Sequence, residues 1–256
     1  MCRISLPDIS CALSDDSLLG NKVRLLQPVS GHRAGTDAVL LAAAIPEQGS
    51  LVDAGASTGA VGLMAALKNR ERETWFIEQS SEMSRICEKN IHNNGLKHAR
   101  IITESIFDRK KLEREGLNPL SADCVATNPP YFTAGAVQPS PDKGKAEAHI
   151  LVNETLSGWI RACARLLKPK GYLCLVHKAD ATSEILSALE PLFGDIHLRF
   201  IHPGKDRPAH RLIIRARKHS RSPLKILFPL ILHSDPGIFT SEAEALHKGE
   251  QLFLFK

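Results

Sequence analysis

Two short runs carry residue types that could do chemistry. Asn128-Pro129-Pro130-Tyr131-Phe132 combines a side-chain amide, two rigid residues and two aromatics. A planar amine has its lone pair delocalised into a ring or carbonyl, so it must be polarised towards tetrahedral geometry before it can attack an electrophilic methyl. The side-chain oxygen of Asn128 and the carbonyl of Pro129 are two acceptors able to hold the two amine hydrogens and do this electrostatically, without a strong base. Paired prolines fix φ and remove N–H donors, which gives a stiff turn at a set spacing. Tyr131 offers a flat face for stacking on a planar substrate, as aromatic residues do for extruded bases, and Phe132 extends that wall. Read alone, the same five residues also fit a Pro-Pro turn with aromatics in a core.

The second run is Asp53-Ala-Gly-Ala-Ser-Thr-Gly-Ala-Val-Gly62. A strand, a glycine turn and a helix start in succession let backbone N–H groups approach a ligand closely. Such turns serve dinucleotides and S-adenosylmethionine alike, and some hold no ligand. About 20 residues on, Glu78 ends the next strand, where a carboxylate can accept from both hydroxyls of a ribose. After the third strand, Glu104-Ser105-Ile106-Phe107-Asp108 could supply an acceptor for an adenine amine and an apolar face for its ring, with Ser105 and Ile106 in those places. Ordinary loop residues would look the same.

These runs need a scaffold, and the rest of the chain supplies its pattern. Apolar segments at Ser50–Ala54, Thr74–Glu78, Ala99–Thr103, Asp123–Thr127 and Tyr172–His177 read as short buried strands. Between them, Gly59–Asn69, Ser81–Asn93 and Leu156–Leu167 have helical spacing, so the expectation is an α/β doubly wound, mostly parallel sheet. Three further β-like runs, Ile196–His202, Arg211–Arg217 and Leu224–Leu232, are expected to pair antiparallel at the sheet's end. At 256 residues and 43% hydrophobic content, one domain over 1–256 is expected, with a short N-terminal extension over about 1–30.

Six scattered cysteines lack the spacing of a zinc site or a disulfide framework, and they read as reduced thiols with no metal. No apolar run could span a bilayer and no leader pattern opens the chain, which reads as cytoplasmic with no membrane partner. The formal charge of +5 permits a polyanionic partner without requiring one. Arg199, Lys205, Arg207, Arg211, Arg215, Arg217, Lys218, Arg221 and Lys225 crowd one segment whose single acid is Asp206, a composition that suits a phosphate backbone as well as solvated strand faces. The stretch Thr133–Ala148 has no clear period and reads as a mobile loop that orders over substrate.

With these motifs together, the chain resembles the class I methyltransferases that carry Asn-Pro-Pro-Tyr. Within them it is most similar to the bacterial enzymes that methylate N6 of the adenosine at position 37, beside the anticodon, of a valine tRNA. The resemblance covers most of the sequence: Gly31-His-Arg-Ala-Gly-Thr-Asp37-Ala-Val-Leu-Leu-Ala42, the glycine loop, Asn128 to Phe132, Leu166-Leu-Lys-Pro-Lys-Gly171, Leu175-Val-His177 and His202-Pro-Gly-Lys-Asp-Arg-Pro208. It implies a Rossmann-like fold with a seven-stranded sheet and an antiparallel C-terminal hairpin, S-adenosylmethionine as cofactor, and RNA, above all tRNA, as partner. It also implies that Asp53, Gly55 and Gly59 line the methionine part of the cofactor, Glu78 its ribose, and Ser105 and Ile106 its adenine, with Arg33, Thr36 and Asp37 near the methionine end. Asn128, Pro129, Pro130 and Tyr131 would be the catalytic turn, with Asn128 also beside the cofactor, and Tyr131, Phe132, Lys205, Arg207 and Arg211 would meet the RNA.

The chain departs from the family's pattern at Ser57, where the loop usually has its middle glycine, and at Ser105, where an acid is usual. At Ala148-His149-Ile150 a charged residue usually follows the histidine. The same four-residue motif also serves protein glutamine N5-methylation and rRNA base methylation. The release-factor methylases carry a separate helical N-terminal domain for which no counterpart is seen here. A degenerate RNA-binding scaffold is the reading of another class.

Overall fold

A computed structural model describes residues 11–31, 33–130, 155–250 and 253–255. Tyr131, Phe132, the 133–148 stretch and His149 therefore lie outside the described residues. The first described elements form a hairpin, β1 (Leu13–Leu18) with β2 (Val23–Pro28), in register from Leu13 opposite Pro28 to Leu18 opposite Val23. Where the N-terminal extension was expected, this hairpin docks on the helix Ser81–Asn93 through amide side chains. The buried Asn90 accepts from Leu26 N at 2.8 Å and donates to Leu26 O and Thr58 O, while Asn94 exchanges bonds with Arg24. In a buried site each such amide must find partners, so Asn90 fixes hairpin, helix and the 55–59 turn together.

The alternation that follows is the expected one: α1 (Thr36–Ala44), β3 (Leu51–Ala54), α2 (Ala60–Ala66), β4 (Thr74–Ile77), α3 (Ser81–Asn93), β5 (Ala99–Ile102), α4 (Arg109–Arg114) and β6 (Ala122–Thr127). After residue 155 come α5 (Leu156–Leu166), β7 (Leu167–Lys178), α6 (Thr182–Leu189), β8 (Phe193–Gly204) and β9 (Arg211–Lys218). The last elements are β10 (Lys225–Ile226), β11 (Leu230–Asp235), β12 (Ile238–Phe239) and α7 (Ser241–Lys248). Helix starts follow their capping chemistry: Ser80 accepts from Met83 N, Thr155 from Gly158 N and Thr240 from Ala243 N.

The central seven strands run β8-β9-β7-β6-β3-β4-β5, with β9 antiparallel to both neighbours and the others parallel. Side chains alternate across the sheet into two apolar cores. Cys174 and Val176 face the core under α1, α2 and α7, whereas Leu173 and Leu175 face the one under α5 and α6.

One expectation needs correction. The run at 224–232 does not pair antiparallel: β10 and β11 both run parallel to β8, and β12 pairs antiparallel with β11, giving a main sheet of ten strands among the described residues. Strand β9 is flanked by β7 and β8, so the chain leaving it finds its nearest open edge on the far side of β8. It enters that edge from the end where β9 finished, held by Asp195 N donating to Ser222 O at 2.8 Å, and must therefore run with β8.

Candidate active site at the carboxyl edge of the sheet

The four central parallel strands end in a cavity of about 330 Å³ built from the turns that follow them. Strand β3 contributes Asp53 and the 55–58 turn, β4 contributes Ile77, Glu78 and Gln79, β5 is followed by Glu104, Ser105 and Ile106, and β6 by Asn128, Pro129 and Pro130. Ala34 and Ala38 close one side and Trp159 of α5 another.

The glycine turn has its shape for steric reasons. Gly55 and Gly59 hold φ of +74° and +87°, and Ser57 between them holds +50°, a left-handed conformation that costs an L side chain about 1 kcal/mol. Gly62 lets α2 lie against the sheet: a Cβ there would come within 2.3 Å of the Phe76 ring. Gly55 N and Ala56 N both donate to Ile77 O at 2.9 Å, and Ser57 N donates to Glu78 Oε2 at 2.8 Å. Glu78 Oε1 accepts from Ser80 N at 2.8 Å, so its carboxylate is clamped in one orientation at the rim.

Asp53 is buried, and Gly62 N donates to its Oδ2 at 2.8 Å. Burial pushes its carboxyl up to about 7, opposed by the Gly62 N–H and reinforced by the charge of Glu78. Such a group favours a cation beside it.

Asp53, Glu78 and Glu104 line the cavity, Glu104 in an ion pair with Lys111 at 2.9 Å, and among the described residues no lysine, arginine or histidine is in the lining. The sequence alone left dinucleotide and S-adenosylmethionine open; this charge separates them. A pyrophosphate would meet repulsion, whereas a ligand with a sulfonium and an ammonium meets complementary charge. Ile77, Ile106, Ala38 and Val61 supply apolar surface for a flat ring. The residues present thus fit S-adenosylmethionine.

A family model described as methyltransferase small domain matches residues 30–201. The chain belongs to that family. It is a methyltransferase that takes its methyl group from S-adenosylmethionine. A crystal structure of a predicted O-methyltransferase from Agrobacterium tumefaciens superposes with a TM-score of 0.71 at 24% identity, covering 86% of this chain and 99% of that one, and shares the fold. A curated relative from Dickeya chrysanthemi, named tRNA1(Val) (adenine(37)-N6)-methyltransferase, is 24% identical over 84% of this chain and 85% of its own. Another of that name, from Shewanella halifaxensis, is 28% identical over 67% of each.

Within this family fold the expected residues fall into three groups. Asp53, Gly55, Glu78, Ser105, Ile106, Asn128, Pro129 and Pro130 line one cavity, and Gly59 sits in the turn behind it. Ser105 Oγ accepts from Phe107 N at 3.3 Å, which shapes its turn. Arg33 and Thr36 are not in the lining. The guanidinium of Arg33 donates to Asp16 at 2.6 Å, to Ser14 Oγ and to Pro28 O, which makes it a clasp for the N-terminal hairpin.

The basic segment divides as well. Lys205 and Arg207 are exposed in the β8–β9 turn at the carboxyl edge, shaped by Arg207 N donating to Gly204 O and by a 2.8 Å bond between His202 Nδ1 and Arg207 O. Arg211, at the same edge, donates to Asp37 at 2.8 Å and ties β9 to α1. Arg199 is no RNA-facing residue: it is buried and donates to Phe228 O and Glu242. Lys218 is buried too, with Nζ on Ala164 O and Leu167 O. Arg215 and Arg217 lie over the Tyr172 ring, both at 5.4 Å.

Sequence reasoning missed Trp159, Gln79, Ala34 and Ala38. Periodicity marks α5 as amphipathic without saying that one member of its apolar face reaches the ligand cavity. Five described cysteines are free, and four of them are buried. Among the described residues no three His, Cys, Asp or Glu side chains group to hold a metal, and no helix is long and apolar enough to cross a membrane.

Proposed function

We propose that this methyltransferase modifies N6 of an adenosine in tRNA, at position 37 beside the anticodon of a valine tRNA. The observation that carries the reading is the Asn128-Pro129-Pro130 turn opening into the same cavity as the cofactor turn. The names of the curated relatives and the exposed Lys205 and Arg207 at that edge support it.

On this reading, Asp53 and the 55–59 turn hold the methionine end, Glu78 the ribose diol, and Ser105 and Ile106 the adenine. The cofactor supplies an electrophilic methyl on a sulfonium whose leaving thioether keeps the bonding electron pair. Asn128 Oδ1 and the Pro129 carbonyl accept the two hydrogens of the target amine, draw its lone pair out of the ring and aim it at that methyl. Once the N–C bond has formed, the nitrogen releases one proton to solvent. Tyr131 and Phe132 stack on the extruded base, a step that costs little in an anticodon loop where bases are already unpaired. Lys205 and Arg207 contact phosphates.

Transfer of labelled methyl to unmodified bulk tRNA, with the product digested to nucleosides, tests this. The expected result is label in N6-methyladenosine that falls by about 10²–10³ in Asn128→Ala, the scale of removing one preorganised electrostatic partner. No label in tRNA, with cofactor still bound, would move the assignment to a glutamine or to an rRNA base.

A further inference from the structure

Immediately before Asn128 stands Thr127, the last residue of β6 and fully buried. Its hydroxyl accepts from the indole Nε1–H of Trp159 at 2.9 Å and donates to the carbonyl of Ala54 at 2.9 Å. Ala54 is the last residue of β3, paired with Thr127 in the parallel ladder, and Gly55 follows it. Trp159 completes the circuit through its ring. The ring lines the cavity, a Cβ on Gly55 would come within 3.2 Å of its Cζ2, and Phe107 holds it edge-on with centroids 5.8 Å apart.

Backbone pairing between β3 and β6 ends at Ala54 and Thr127, the point where the two functional turns diverge. Beyond it, the relay from indole to hydroxyl to carbonyl is a side-chain tie across the gap, and the indole pins Gly55 from above. Thr127 and Trp159 lie at the margin of an apolar core that packing alone could fill with valine and leucine. The three polar groups are matched one to one: one indole donor, one hydroxyl that both accepts and donates, and one strand-end carbonyl. Fully satisfied buried networks of this kind specify a single arrangement.

We infer that Thr127 and Trp159 are positioning residues for methyl transfer, setting the distance and angle of the amine-accepting turn relative to the cofactor turn. The inference rests on the reading of Asn128 and Pro129 as the amine acceptors. Neither residue exchanges a proton with substrate; each acts by holding Asn128 and Gly55 in register. Misplacing reacting groups by about 1 Å costs about a hundredfold in rate, which sets the scale.

The test compares Thr127→Val, which keeps the shape and deletes the hydroxyl, with Thr127→Ser, which keeps the hydroxyl, and with Trp159→Phe, which keeps a ring over Gly55 and deletes the N–H. Methyl transfer to tRNA gives kcat and KM, thermal unfolding checks the fold, and ¹⁵N-resolved spectra follow the Asn128 side-chain amide, assigned by its loss in Asn128→Ala. Thr127→Val is expected to lower kcat about tenfold to a hundredfold with the KM for cofactor near wild type, and to shift the Asn128 amide resonances. Thr127→Ser is expected to restore both, and Trp159→Phe to move them in the same direction by less. Unmoved Asn128 resonances in a folded Thr127→Val protein would overturn the inference, as would a rate loss that only tracks a lower unfolding midpoint and that serine does not rescue. If wild type transfers no methyl to tRNA, the RNA reading fails, and the amide resonances still decide the positioning role by themselves.

Discussion

At the two ends of the central sheet, similar polar residues are used in opposite ways. At the amino edge they are taken up within the protein: Lys218 reaches the carbonyls of Ala164 and Leu167, and Asp123 is held by Lys168 and Ser50. At the carboxyl edge, Asp53 and Glu78 accept from backbone N–H groups yet still line a cavity, and Lys205 and Arg207 face solvent. The first set closes helix and strand ends. The second retains capacity for something outside the chain. Residue type does not separate the two sets, and neither does the edge alone, since Arg211 at the carboxyl edge is taken up by Asp37; what separates them is whether the chain supplies a partner.

The comparison can be broken first at Asp53. Its folded pKa of about 7 lies above the ordinary carboxylate value of 3.8, so the ligand-free fold is most favoured, on this account, below about pH 4. That contribution is lost as pH rises to about 7, by about 4 kcal/mol at most. Asp53→Asn can still accept from Gly62 N and does not titrate. It is expected to be more stable than wild type at pH 8 in urea unfolding without ligand, with the gap shrinking towards pH 5. A gap independent of pH would mean that the carboxylate is not held for a cation.

A smaller loss is expected from Lys218→Met at the opposite edge: about 1–3 kcal/mol from two buried carbonyls left without a donor, with cofactor affinity unchanged by calorimetry. If affinity fell as well, the two edges would not be independent. The converse holds for Lys205→Ala and Arg207→Ala. Each should reduce the slope of log affinity for tRNA against log salt by about 1 while leaving stability within about 0.5 kcal/mol. A slope that stays put would remove the β8–β9 turn from the RNA surface. The smallest effect belongs to Ser57→Gly, which relieves a left-handed residue and should raise stability by no more than about 1 kcal/mol, since glycine gives part of that back as unfolded-state entropy. A destabilised variant would show that the Ser57 side chain, not its backbone, shapes the turn.

Most of the parallel framework was legible because its strands are short apolar runs and its turns carry glycine. Helix α3 falls on Ser81–Asn93 as its spacing predicts. The motif residues 53, 55, 78, 105, 106, 128, 129 and 130 do converge on one cavity. What was not legible depends on contacts distant in sequence. Arg33 looks like a ligand-facing cation until Asp16 is seen across the hairpin. Arg199 and Lys218 read as surface charge because alternation along a strand does not say which side another element covers. Trp159 lies 31 positions after Asn128 in the numbering, and only the fold brings its indole to Thr127. The parallel course of β10 and β11 follows from both flanks of β9 being occupied, which is a property of the assembled sheet.

That course also bears on solubility. Strand β8 is 12 residues long, and β9 occupies only one of its sides. Left bare, the other side would present a long ladder of unpaired amide and carbonyl groups, the sort of template onto which a neighbouring chain adds a strand. β10 covers Lys225 to Ile226 against His197 and Leu198, and β11 covers Ile201 to Gly204, so the ladder is capped in two short pieces. The sheet then terminates in β12, a strand of two residues, too short to seed growth of an aggregate.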